Sequence, residues 1–223
     1  MRTGAMGKKK LFFDVLDEKR LQILPKLTFL REDYGFYLAG GTALALQIRH
    51  RKSIDFDFYT PDDFDPKELF GKLKRNFKRI KPEHMAEGTL IAAIDDVEMS
   101  FFRYEYPLLK PLVRTGYIDL LSAEDIAAMK IIAIVQRGTR RDFVDIFYLL
   151  KTMRLNKLLT LTQKKYEAFN KYQGLRALTY FEDAEEDNSR RRLEVFEKME
   201  WGKIKQEIIE IISTYTREHL PKK

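Results

Sequence analysis

The chain contains no cysteine. That excludes a disulfide framework and a thiolate metal site, and it fits a reducing compartment. No apolar run approaches the roughly 20 residues that a membrane-spanning helix needs. The basic opening, MRTGAMGKKK, lacks the apolar stretch of a signal peptide. Histidine is scarce, and His50, His84 and His219 form no metal-ligand motif. No spacing places a nucleophile with a base and an orienting group, so acyl transfer and proteolysis have no support. Zinc-finger and RRM signatures, internal repeats and low-complexity segments are all missing. The expectation is a soluble, cytoplasmic protein.

What is present suffices for a substantial core. The 223 residues suit one large domain or two modest ones. A hydrophobic content of 44%, with 16 Phe, excludes a disordered chain. Lys and Arg number 41 against 34 acids, a formal charge of +7. That surplus suits an anionic partner such as a nucleotide or RNA.

The most informative stretch covers residues 37–59, YLAGGTALALQIRHRKSIDFDFY. A short apolar run ends in Gly40-Gly41, a helical pattern follows through Ala43, Leu44, Leu46 and Ile48, and an alternating segment closes it. The pattern predicts strand, glycine turn, helix, strand. Along the second strand Ser53, Asp55 and Asp57 share one face, while Ile54, Phe56 and Phe58 share the other. Two carboxylates at i and i+2 repel each other unless a cation lies between them. Hard ions such as Mg²⁺ use one or two carboxylates plus substrate phosphates. Glycine lets backbone N–H groups approach an anion closely, and the helix start after it favours negative charge. Phosphate at the glycines and metal at Asp55 and Asp57 together describe a nucleotide site.

Elsewhere, residues 1–10 read as an unstructured leader, and 11–31 as a helix or helix pair broken near Pro25. Asp65-Pro66-x-Glu68 starts a helix running to about Phe77, with Lys72, Lys74, Arg75 and Lys78 on its solvated side. Residues 88–104 read as a hairpin, Thr89–Ile94 and Val97–Tyr104, turning at Asp95-Asp96. In residues 121–150, Ser122 caps a largely buried helix closed by Gly138. Lys130 sits mid-helix, either snorkelling to water or contacting phosphate, with Arg137 on the same face. A second helix begins near Thr139 with Asp142 and Asp145 one turn apart, and Arg141 spaced to pair with Asp145. Beyond Lys151 the pattern is helical over 157–172, 175–181, 191–199 and 204–219, with an acidic break at 182–187 and a basic one at 190–192. These segments carry no chemistry. His50 fits either a nucleotide-site wall or the surface.

Gly40-Gly41-Thr42 with Leu44, then His50-Arg51-x-Ser53-x-Asp55-x-Asp57-Phe58, resembles the opening motifs of the AbiEii/AbiGii toxin family, within the DNA polymerase β-like nucleotidyltransferases. The later Lys130–Arg137 helix and its Arg-Asp-Phe-x-Asp successor resemble that family's later motifs, so the likeness spans residues 36–150. The resemblance implies an α+β fold: a nucleotidyltransferase-type mixed β-sheet core flanked by helices over 11–118, then a helical region over 119–223. It implies a glycine motif over an NTP triphosphate, with Gly40, Gly41, Thr42, Arg51, Ser53 and Arg137 binding it. It puts catalytic Mg²⁺ on Asp55 and Asp57, Lys130 on the triphosphate, Asp142 as catalytic acid, and Asp145 orienting Arg141 or Lys130. The family's third carboxylate stands before an aromatic pair, where this chain has Ser100 before Phe101 and Phe102. Either Glu98, the nearest acid on that face, reaches further to serve as the third metal ligand, or the site works with two carboxylates. The resemblance implies transfer of NMP to a hydroxyl on RNA or tRNA, a small molecule or a protein, and a cognate antitoxin. Ser100 keeps open the alternative of a degenerate, binding-only fold.

Overall fold

A computed structural model describes residues 10–186, 193–197 and 199–219. Nine of the ten leader residues and the basic break at 190–192 lie outside them. The Asp17 side chain accepts from the Arg20 N–H to start α1 (Glu18–Ile23), and Pro25 forces a 3₁₀ turn before α2 (Thr28–Tyr34). The expected helical region is therefore two short helices. Next come β1 (Tyr37–Leu38), α3 (Gly40–Ile48) and β2 (Phe56–Thr60), in the predicted order. The second strand starts later than expected: Ser53, Ile54 and Asp55 precede it, and Ile54 is 40% exposed rather than buried with Phe56 and Phe58. The helix begins at the glycines themselves. Asp65 caps α4 (Pro66–Asn76) by accepting from the Lys67 N–H.

Three strands follow, β3 (Ile80–Ala86), β4 (Thr89–Ile94) and β5 (Val97–Arg103). The β4–β5 turn has Asp95 at φ 49° and Asp96 at φ 62°. Two left-handed residues in a two-residue loop match the right-handed strand twist, and Asp tolerates that conformation. The sheet order is β1-β2-β5-β4-β3, with β2 parallel to β5 and the other pairs antiparallel. In the parallel register Asp57 stands opposite Ser100.

Six helices complete the described chain: α5 (Ala123–Arg137), α6 (Arg140–Leu150), α7 (Leu155–Lys165), α8 (Lys171–Ala177), α9 (Glu182–Glu185) and α10 (Trp201–His219). Ser122 and Thr139 cap α5 and α6 as their sequence positions predict. The helix expected over 157–172 stops at Lys165, and α8 is a separate element capped by Asn170. The helix expected over 191–199 is absent from its described part, residues 193–197 and 199, where Val195 instead bridges Arg51 antiparallel. One apolar core runs from Val15 to Ile212 through the sheet and helices alike. At its centre Phe58 and Phe101 stack at 5.2 Å across the parallel pair.

Candidate active site

Alternation along β2 sends Phe56 and Phe58 into that core and leaves Asp57 and Tyr59 on the opposite face. There they wall a cleft of about 740 Å³, closed on the other side by α5 and the start of α6. Gly40, Gly41, Arg51, Ser53, Asp55, Asp57, Glu98, Lys130, Arg137 and Asp142 all line it. The two sequence blocks thus meet in one place. Thr42 does not line the cleft. Its buried hydroxyl donates to the Asp55 carbonyl and lies 2.8 Å from Ser53 Oγ, within hydrogen-bond reach, so it fixes the segment that carries the carboxylates.

The glycines are explained by close approach. Gly40 lies at φ 63°, and a Cβ there would come within 2.5 Å of Asp57 Oδ2. A Cβ on Gly41 would overlap the Arg51 guanidinium. Both charged side chains are therefore pressed against the first turn of α3, which has no side-chain cap. Because Gly40 and Gly41 line the cleft, this uncapped helix start lies where an anion would be favoured.

Beneath the cleft wall lies a buried ionic network. Arg51 Nε donates to Asp145 Oδ1 at 2.7 Å and Nη2 to Oδ2 at 3.1 Å. His50 Nε2 lies 2.7 Å from Asp145 Oδ1, and Lys130 Nζ 2.7 Å from Asp145 Oδ2. Lys130 also donates to Asp142 Oδ1 at 2.7 Å, and the Thr139 hydroxyl donates to Asp142 Oδ2 at 2.6 Å. Burial alone would push the Asp145 carboxyl up, but Arg51, Lys130 and His50 hold it well below the usual carboxylate range. The same contacts outweigh burial to keep Lys130 and Arg51 charged, with raised pKa values. Burial dominates at His50 and lowers its pKa against the pull of Asp145.

These contacts revise several expectations. His50 is at neither the surface nor the cleft wall; it is buried against Asp145. Arg141 does not pair with Asp145; its Nη1 lies 3.8 Å from Asp55 Oδ2, because Arg51 and Lys130 already occupy Asp145. The snorkelling reading of Lys130 gives way to two buried carboxylate partners. Arg137 is exposed at the cleft and has no ion pair among the described residues, so it is the cleft cation left for a ligand. Asp55 and Asp57 could hold a hard cation completed by phosphate oxygens and water. Among the described residues no three His, Asp or Glu side chains gather into a metal-binding group. Sequence reading missed the tyrosines Tyr59, Tyr104, Tyr106 and Tyr166 at the far end of the cleft. Only the first shares an element with a motif.

A model of the family described as the nucleotidyl transferase AbiEii toxin of type IV toxin–antitoxin systems matches residues 22–114 and 97–214. An uncharacterized protein from Aquifex aeolicus is 36% identical over 178 residues, covering 77% of this chain and 86% of its own. Among solved structures, a Helicobacter pylori protein provisionally described as a nucleotidyltransferase aligns at TM-score 0.61 and 16% identity, over 91% of this chain and 97% of its own. MenT4, a nucleotidyltransferase toxin from Mycobacterium tuberculosis, aligns at TM-score 0.57 and 12% identity, over 86% and 81%. At these identities the two structures share the fold. No helix among the described residues is long and apolar enough to cross a membrane. Motifs, cleft and family match agree: the chain belongs to the nucleotidyl transferase AbiEii toxin family of type IV toxin–antitoxin systems.

Proposed function

We propose that the cleft catalyses Mg²⁺-dependent transfer of NMP from an NTP to a hydroxyl acceptor. The observation that carries this reading is the convergence of Asp55 and Asp57 with Lys130, Arg137 and Asp142 in one cleft. The acceptor oxygen attacks the α-phosphorus, the bond to the β-phosphate oxygen breaks, pyrophosphate leaves with the electron pair, and the hydroxyl proton passes to solvent. Asp55 and Asp57 fit Mg²⁺, which uses few protein carboxylates alongside substrate phosphates. When bound it neutralises phosphate charge and lowers the acceptor pKa. The uncapped start of α3 and the Arg137 guanidinium bind the triphosphate, while Lys130, held by Asp142 and Asp145, sets the positive potential between them. Ser53 fixes the strand entry through Thr42. Acceptors consistent with this chemistry are an RNA or tRNA end, a small molecule or a protein hydroxyl, and the family match supports a cognate antitoxin as a further partner.

Labelled NTPs, Mg²⁺ and candidate acceptors test the reaction. Asp57→Asn should abolish label transfer while the fold survives, because its carboxylate faces the cleft rather than the core. Arg137→Ala should raise the KM for NTP roughly tenfold or more, the scale of one charged hydrogen bond. Unchanged transfer by Asp57→Asn would overturn the reading.

Ser100 supports a second reading. It stands opposite Asp57, where the resemblance expects a carboxylate. A binding-only protein would take up NTP with Mg²⁺ yet transfer nothing to any acceptor.

A further inference from the structure

A second groove, of about 840 Å³, opens beyond the catalytic cleft and shares Tyr104 and Tyr106 with it as a common wall. Its opposite wall is the last turn of α7 and the residues after it, including Lys164 and Glu167. A line of rings joins the two spaces. Tyr59 and Tyr104 lie 5.0 Å apart, Tyr104 and Tyr106 5.0 Å, and Tyr106 and Tyr166 4.7 Å. Tyr59 is two residues past Asp57 on the same strand face, roughly 7 Å along β2. A molecule in the groove would therefore reach the carboxylates by passing over Tyr59.

The groove wall is rigid. Lys165 is fully buried, and its Nζ donates to the Pro107 carbonyl at 2.7 Å and pairs with Asp125 Oδ1 at 2.8 Å. Asp125 also accepts the N–H groups of Leu109 and Lys110 and the Ser122 hydroxyl. The catalytic reading has no use for this buried pair. It straps residues 104–110 onto α5 and α7 and so holds Tyr106 half-exposed, at 49%, over the groove.

Charge decides what the groove accepts. Its buried cation is committed to Asp125, and Arg103 to Asp63 and Glu105. Among the described residues Glu87, Glu167 and Lys164 have no ion pairs, so the side chains left to meet a ligand carry a net negative charge. That residual charge favours a cationic ligand over a phosphodiester strand there. Glu87, Glu167 and the tyrosine face each suit a basic side chain, against the single opposing charge of Lys164.

We infer that this groove is the acceptor subsite, and that it takes an extended polypeptide segment whose Ser, Thr or Tyr hydroxyl lies near a Lys or Arg. The inference rests on the nucleotidyl-transfer reading. The hydroxyl oxygen forms the new bond to the NTP α-phosphorus, pyrophosphate departs with the electrons of the broken P–O bond, and the proton goes to solvent.

The test supplies the full chain with α-labelled NTP, Mg²⁺ and one of two acceptors. One is a degenerate peptide library with a fixed Ser, Thr or Tyr and basic or acidic flanks; the other is total cellular RNA. Binding of NTP is measured separately. The expected result is label on peptides with basic flanks. Tyr106→Ala and the charge-reversed double variant Glu87→Lys/Glu167→Lys should each raise the peptide KM roughly tenfold, with NTP affinity unchanged. Peptides left unlabelled while NTP binds, whether or not RNA is labelled, overturn the inference and leave nucleotide binding standing. Labelling indifferent to flank charge and to both variants also overturns it. If NTP does not bind the wild type, the nucleotidyl-transfer reading falls and takes this one with it.

Discussion

At the scale of single residues, the site is organised around a carboxylate that never meets the substrate. Asp145 is buried, and it gathers His50, Arg51 and Lys130 from two distant parts of the chain. Its sequence position suggested helix electrostatics and a partner four residues away. Of its partners, Lys130 was the one the resemblance offered; His50 and Arg51 lie 95 and 94 residues back, and no local period encodes such a pairing. Asp57 was legible because strand alternation puts it opposite the buried Phe56 and Phe58, whereas Asp55 precedes the strand and reaches the same cleft without it. The glycines were legible as a close approach, although what presses on them is the chain's own Asp57 and Arg51. His50 supplies a pH dependence. Burial lowers its pKa in the fold, so its contribution to stability is complete above the unfolded value, about 6.5, and is lost as pH falls toward the folded value. Asp145 contributes nothing in that window, since its own loss begins only below the ordinary carboxylate range, about 3.9. The urea midpoint should therefore fall as pH drops below about 6.5, and His50→Gln should flatten that slope. A wild-type midpoint as level as the variant's would refute a neutral, buried His50.

At the scale of elements, what was legible follows burial. The β4–β5 hairpin appeared in sequence because Leu90, Ala92, Ile94, Val97, Met99 and Phe101 all point into the core, and Asp95-Asp96 supplies the turn. β3 did not appear. It is an edge strand, exposed along most of its length, interrupted by Pro82 and by a register shift between Pro82 and His84. Without a buried face it has no alternation to read, and Pro with charge is how an edge avoids further pairing. The corner between α5 and α6 matters most for the site, because it sets Lys130 against Asp142. Gly138 makes that corner, and a Cβ there would come within 2.8 Å of the Phe143 ring. Phe143 is itself wedged against Phe181 and Trp201, at 4.7 and 6.1 Å, and cannot retreat. Gly138→Ala should cost about 1–3 kcal/mol in urea denaturation and lower nucleotide transfer as well. An alanine variant with wild-type stability would show that the ring has room after all.

At the scale of the whole molecule, sheet and helices share one core and one ionic network, so the site has no independent half. The motif order gave the α+β plan with its trailing helices, but the interlock comes from contacts distant in sequence. These include Arg51 on Asp145, Leu38 bonded to Asp119 and Leu121, and Val195 bridged to Arg51. Such coupling makes unfolding cooperative when neither part retains a satisfied interior without the other. Removing Asp145 from the shared network leaves Arg51 and Lys130 buried without that counter-charge, an effect that costs about 3–5 kcal/mol in comparable buried pairs. Asp145→Ala should therefore lower the stability of β5 and α7 together, although the residue belongs to neither element. Hydrogen exchange along a urea series can follow both elements at once, and Trp201, the single tryptophan, reports the helical half by fluorescence. All three signals should move to a common lower midpoint. Persistent protection of β5 after the Trp201 signal and α7 protection are lost would show that the sheet stands alone, and that the network joins two separable parts.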